Sequence, residues 1–278
     1  MLAAVMAWVC VPSQAAPPQR IVSLNLCADQ ILIDLVPRQR IAALSHLADD
    51  PKISAISERV SGVPLTRGEA EVVLGFDPDL VIAGTFSTPA TIALLERLGR
   101  RVEKVPLASD INGVRILVRE IAAAVGESPR GETVLADFER RLAVAAAPGV
   151  ATGRRPTALV YQVNGLASGT SSLANAVLTA AGFDNLAAKT SLGPGGQIAL
   201  EQLLIDPPDL LVLTGPVDEY RTAVAANLRH PAVAALRQQR ASIVLPWRHW
   251  LCGTPYIATA IETLSAERAR LSQSGASR

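Results

Sequence analysis

The sequence predicts an α/β protein of two lobes joined by a long rigid helix, and three observations carry that prediction. Short apolar runs alternate with helical patterns in both halves, the pattern of parallel βαβ units. Nearly the same phrase is written twice, EVVLGFDPDLVIAG at 71–84 and EQLLIDPPDLLVL at 201–213. That separation of about 130 residues is too long for a solenoid period and fits duplication of a whole lobe. Between the copies lie two long amphipathic stretches, GVRILVREIAAAVG and SPRGETVLADFERRLAVAAA. A chain of 278 residues that is 49% hydrophobic has enough apolar material for two cores of lobe size. Its net charge of +1 gives no reason to expect nucleic acid or an anionic membrane surface as a partner.

Taken in order, residues 1–15 read as a cleaved signal peptide, so export is expected. An apolar run of about a dozen residues precedes the small-x-small pattern Ser13-Gln14-Ala15. No Lys or Arg stands before the run, and it is shorter than the about 20 residues that a membrane span needs. Cys10 follows Ala7, Trp8 and Val9, a poor match to the small-residue sequence of lipoprotein processing, so no lipid anchor is expected.

Residues 16–112 form the N-terminal lobe. RIVSL (20–24) predicts a strand, Asn25-Leu26-Cys27 a loop, and 28–35 a helix. RIAALS (40–45), LVIAG (80–84) and RVEKVPL (101–107) predict further strands, with TPATIALLERLG a helix ended by Gly99. Residues 113–149 are the helical connector. Pro129 just after Ser128 marks the start of its second helix, and Val134, Leu135, Phe138 and Leu142 lie on one face, so it should span about 30 Å. Pro148-Gly149 ends it.

Residues 150–278 form the C-terminal lobe. TALVYQV predicts a strand, 172–181 a helix, 200–205 a short helix, DLLVLTG a strand, 227–239 a helix, SIVLP a strand and 255–271 a last helix. The repeated phrase is then a helix-to-strand corner in each lobe. A glutamate opens a short helix, Leu74 or Leu204 points inward, Pro78 or Pro208 ends it, and Asp-Leu leads into a buried strand.

Once the leader is removed, Cys27 and Cys252 remain, without a C-x-x-C pair. They read as two buried, unreactive thiols, with a disulfide only if the fold brings their Cα atoms within about 7 Å. A cleft enzyme using Cys27 or Cys252 with His46 or His249 is the competing class. The chain has no G-x-S-x-G, no G-x-x-x-x-G-K-[ST] and no G-x-G-x-x-G after a strand, so no catalytic residue is expected.

The opening IVSLNLCADQIL, the corner E-x-x-L-x-x-x-P-D-L, its partner in the second half and the long helix between them carry a resemblance. Over about Arg20 to Leu271 the chain resembles the cobalamin and iron-chelate class of periplasmic binding proteins of ABC importers. The resemblance implies two Rossmann-like lobes on a helical backbone (class III), a periplasmic monomer, no cofactor and no protein-held metal. It further implies a metal chelate as ligand and an ABC permease dimer in the inner membrane as partner. By position, Glu71 and Glu201 become the glutamates that engage permease arginines, a pseudo-two-fold protein matched to a two-fold dimer. Both could instead only favour the positive ends of their own helices. A receptor module that senses ligand without transport would share all of these features.

Ligand should lie between the lobes, where loops leave the carboxyl ends of the strands. In lobe one these loops hold Asn25, Leu26, Cys27, His46 and Phe86, and in lobe two Asn164, Gly165, Gly195 and the PWRHWLCG stretch with Arg248, His249, Trp250 and Cys252. Trp250 is expected in the cleft or in the core, and Arg248 could pair with an anionic group of the ligand. His46 and His249 could reach a metal on the chelate or simply be solvated. Phe86 could cap the cleft or fill its lobe, and Gly195 could approach the ligand or only allow a turn. Cobalamin binders of the class carry tryptophans where this chain has Leu65, Gly84 and Gly195, and basic residues near the cleft are few. The resemblance therefore implies a metal-chelate class spanning cobalamin, ferric siderophore and haem.

Overall fold

The computed structural model describes residues 16–146, 154–190, 192–215 and 223–276. The expected signal peptide and the last residues of the connector lie outside them. The first half runs β1 (Ile21–Ser23), α1 (Leu26–Leu35), β2 (Ile41–Ser45), β3 (Leu65–Thr66), α2 (Ala70–Gly75), β4 (Leu80–Gly84), α3 (Pro89–Arg97) and β5 (Val102–Val105). Its five strands are all parallel, in the order β3-β2-β1-β4-β5. Leu80, Val81, Ile82 and Ala83 are fully buried, which explains why β4 reads as an unbroken apolar run rather than an alternating one. α1 begins earlier than its apolar pattern suggests. The Asn25 side-chain oxygen accepts the Ala28 N–H at 3.0 Å, so Asn25 is the cap and the expected loop residues Leu26 and Cys27 form the first turn.

Two helices follow, α4 (Ile111–Ala124) and α5 (Ser128–Ala146). Asp110 caps α4 by accepting the Gly113 N–H at 2.6 Å. α5 has 19 residues, about 28 Å at 1.5 Å per residue. Its Leu135 and Phe138 enter a core that also contains Ile21, Leu80, Ala158 and Val160, so one apolar cluster runs through both halves. Arg115–Glu139 and Arg119–Glu132 pairs, each with two hydrogen bonds, tie α4 to α5 at the surface.

The second half runs β6 (Thr157–Val160), β7 (Leu166–Ser168), α6 (Leu173–Ala180), β8 (Asp184–Asn185), β9 (Gly195–Gln197), α7 (Leu200–Ile205), β10 (Leu210–Leu213), α8 (Pro231–Gln239), β11 (Ala241–Val244) and α9 (Ile257–Ala276). β11-β10-β6-β8 form a parallel sheet, and β7 pairs with β9 antiparallel. Reading β8, β6, β10 and β11 as counterparts of β2, β1, β4 and β5 gives the same spatial order in both lobes. The helix expected over 227–239 starts only at Pro231, behind a His230 cap, and a 3-10 turn precedes it. The glycine-rich 192–197 segment, expected as a loop, contributes β9.

The repeated phrase now has a physical reason. Asp79 accepts the Gln19 and Arg20 backbone N–H groups at 2.6 and 2.9 Å, just ahead of β1. Asp209 accepts the Thr157 N–H at 2.8 Å and its hydroxyl at 3.0 Å, where β6 begins. Each aspartate clips the start of the neighbouring central strand. The fully buried residues of the corner helices are Val73 and Leu203, however; Leu74 is half-buried against the same core cluster, and Leu204 is exposed. A six-residue helix offers the core one narrow face, and in α2 Ala70 and Val73, three apart, occupy it.

Candidate functional site

A cavity of about 340 Å³ opens at the carboxyl ends of all five first-lobe strands. Leu24 to Cys27 follow β1, Ser45 to Leu47 follow β2, Thr66 to Gly68 close β3, Phe86 to Thr88 follow β4, and Leu107 follows β5. Leu251 and Cys252 are the lining residues from the second lobe. The position is the one that an open parallel sheet prepares, at the reversal of strand order between β1 and β4.

The walls are apolar and uncovered. Phe86 is 83% exposed, and Leu47, Leu107 and Leu251 are also exposed, so four large apolar side chains ring one opening. Grouped exposure of this kind singles this opening out as the candidate site. The polar groups around it are mostly committed to the loops. Ser87 Oγ accepts the Gly84 N–H at 3.0 Å and donates to the Leu24 carbonyl at 3.1 Å, and Thr66 Oγ1 accepts the Gly68 N–H at 3.0 Å. A Cβ on Gly84 would fall 2.1 Å from Asn25 Nδ2, so the glycine makes room for the capping residue at the cavity edge. Among the described residues Arg67 is the one Lys, Arg, Asp or Glu on the lining and is exposed; His46, also on the lining, is half-buried.

Beneath the lining lies Asp29, fully buried in α1. Its carboxylate accepts the Ser45 hydroxyl at 2.5 Å and the Ser45 N–H at 3.3 Å, fixing the end of β2. Burial pushes its pKa up to about 7, against the lowering effect of hydrogen bonds from Ser23 and Ser45.

Asn25, Leu26, Cys27, His46, Phe86 and Cys252 all line this cavity. Asn164, Gly165, Gly195, Arg248, His249 and Trp250 do not. Asn164 and Gly165 form a left-handed turn, φ 55° and 69°, and a Cβ on Gly165 would meet the Ile198 carbonyl at 2.8 Å. Gly195 sits in β9 opposite Ser168. Arg248 lies at the seam, donating to the Pro51 carbonyl of lobe one at 3.5 Å and to His249 Nε2 at 3.2 Å. Burial, and then the Arg248 charge, hold the His249 imidazole below its ordinary pKa.

Two expectations are corrected. Trp250 is core, only 3% exposed, with its indole N–H donating to the Leu245 carbonyl at 3.3 Å; a satisfied polar edge lets the whole ring bury. Cys27 and Cys252 are not separate thiols. They form a disulfide with Cα atoms 5.2 Å apart, so neither supplies the nucleophile that a Cys/His enzyme would need. Leu24, Gly68 and Leu107 were not anticipated on the lining, and Leu251 belongs to the expected PWRHWLCG stretch without having been singled out. β3 is two residues long and leaves no periodic signal, and single leucines in loops look like any other.

Glu71 and Glu201 are each the second residue of their corner helix, both exposed and in different lobes.

The family model described as "Periplasmic binding protein" matches residues 21–241. The chain belongs to that family. A "Cobalamin-binding protein" of Halobacterium salinarum is 28% identical over 219 residues, 77% of this chain. The chain spans 58% of the length of that curated relative. Among solved structures, the apo periplasmic heme-binding protein RhuT of Roseiflexus sp. RS-1 superposes with a TM-score of 0.75 at 24% identity, covering 91% of this chain and 99% of that one. The periplasmic vitamin B12 binding protein BtuF of Vibrio cholerae gives 0.68 at 18% identity, covering 92% and 98%. These likenesses establish the two-lobed periplasmic-binding-protein fold.

Proposed function

We propose that the protein is the substrate-binding component of an ABC importer, exported to the periplasm, that captures a metal chelate and delivers it to a permease dimer in the inner membrane. The observation that carries this reading is the apolar, exposed cavity at the carboxyl ends of the first-lobe strands, walled on one side by Leu251 and Cys252. Its family and its likeness to proteins named for cobalamin and haem support a chelate as cargo. So does the lining itself. Leucines and Phe86 offer flat apolar contact, Arg67 a single partner for a carboxylate or phosphate, and His46 an imidazole that could reach an open metal position. One arginine suits a macrocycle with few anionic groups, such as cobalamin or haem, better than a polyanionic ferric catecholate.

In this reading Glu71 and Glu201 dock one lobe each onto one permease subunit. Their equivalent, exposed positions support it, and complementary charge there would set register and encounter rate more than affinity. Calorimetric titration with cyanocobalamin, haemin and ferrioxamine B tests the cargo. Saturable one-to-one binding of one of them is expected, and binding of none would contradict the reading. Exchanging both glutamates for glutamine should abolish chelate-dependent stimulation of permease ATPase while leaving chelate binding unchanged.

A further inference from the structure

Two lobes of one chain are joined covalently at the cavity itself. Cys27, in the first turn of α1, and Cys252, 225 residues later, both line it and are bonded to each other. Noncovalent contacts also hold the same second-lobe segment to lobe one: the Thr254 hydroxyl donating to Gln30 Oε1 at 2.8 Å, the long Arg248–Pro51 bond, the Arg59 guanidinium donating to the Tyr256 hydroxyl, and Gly253 against Ala108. That last contact is so close that a Cβ on Gly253 would lie 2.5 Å from the Ala108 carbonyl oxygen. Leu251, one residue before the disulfide, is 40% exposed and forms cavity wall rather than second-lobe core. It stands between the buried Trp250 and the bonded Cys252, and its N–H donates to the Trp247 carbonyl at 2.7 Å, so its tie to lobe one runs through the disulfide.

We propose that the Cys27–Cys252 disulfide is a latch that positions Leu251 as the movable wall of the ligand cavity, so that the redox state of this pair sets how long ligand is held. The inference rests on the binding role given above. Opening the latch requires a dithiol reductant: one thiolate attacks a disulfide sulfur, the second displaces the mixed disulfide, two cysteine thiols form and the reductant leaves as its cyclic disulfide. Two electrons and two protons pass to the cysteines. α5 still connects the lobes afterwards, so reduction loosens one wall without separating the halves.

The test compares oxidised, dithiothreitol-reduced and reoxidised protein by hydrogen–deuterium exchange, with the double variant C27S/C252S alongside. Reduction should speed exchange in 248–254 about tenfold or more, leave β1, β4, β6 and β10 unchanged, and reverse on reoxidation. For whichever of cyanocobalamin, haemin or ferrioxamine B binds, the dissociation rate should rise by a similar factor while the association rate changes little. Unchanged exchange in 248–254, or faster exchange with an unchanged dissociation rate, would overturn the proposal. If none of the three probes binds, the transport reading fails, and the exchange measurement still decides whether the disulfide holds the wall. If the variant does not fold, the reversible reduction of the native chain carries the test.

Discussion

The two lobes share a strand order and a corner, yet they finish the carboxyl ends of their strands differently. In lobe one, five loops converge on the cavity. In lobe two, β9 leaves the sheet to pair with β7, and the loop after β6 tightens into the left-handed Asn164-Gly165 turn. The same contrast appears one layer down. Each lobe's first helix is capped by its own side chain, Asn25 or Ser172, and each then reaches the next strand. Lobe one makes that link with an ionisable group, Asp29 to Ser45; lobe two makes it with neutral amides, Asn185 Nδ2 donating to Asn175 Oδ1 at 3.2 Å. The two lobes thus share what closes the sheet and differ in what stands at the carboxyl ends of its strands.

The largest expected effect comes from cutting the tie between the lobes. C27S/C252S should lower unfolding free energy in urea by about 2–5 kcal/mol, since the disulfide joins residues 225 positions apart. A loss below about 0.5 kcal/mol would mean that the shared core alone fixes the lobes.

Next in size is a pH dependence confined to lobe one. Asp29 titrates near 7 in the folded protein and near 3.8 when unfolded. Between those values the folded state holds the extra proton, so stability should fall as pH rises from 4 towards 7 and level off above, by a few kcal/mol at most. Asp29→Asn should flatten that slope in denaturation curves collected across the range. An unchanged slope would place the titration elsewhere.

Smaller again is the difference between the two clips. Asp209 is half-buried, and although burial alone would raise its pKa, the Thr157 hydrogen bonds and Arg154 outweigh it and hold the carboxyl below its ordinary value. Its stabilisation is present above the unfolded aspartate value and is lost as pH falls through the lowered one. Asp209→Ala should cost about 1–3 kcal/mol, and Asp79→Ala, at an exposed site, less. Equal costs would contradict the difference in burial.

Much of this was legible in residue order. The apolar runs of β4 and β10, Pro129 and the doubled Pro-Asp-Leu are local signals, and each corresponds to a feature of the structure. Asn25, Phe86 and His46 were found by asking which residues follow strands. Trp250 misled because a tryptophan near a glycine looks equally like ligand contact and core, and only its bond to Leu245 decides. The disulfide was illegible for a related reason. Two cysteines 225 residues apart carry no spacing signal, and their meeting depends on how α5 folds one half back against the other. Leu24 and Leu107 were hidden too, since a place on a cavity wall is a property of the fold and not of the residue.

The most direct test of the account is calorimetric titration of native protein and of Phe86→Ala with the chelate that binds best. Phe86 is 83% exposed, so its loss should leave stability within about 0.5 kcal/mol while weakening binding about tenfold. Binding that is equally tight in both would contradict the placement of the ligand at the ends of the first-lobe strands.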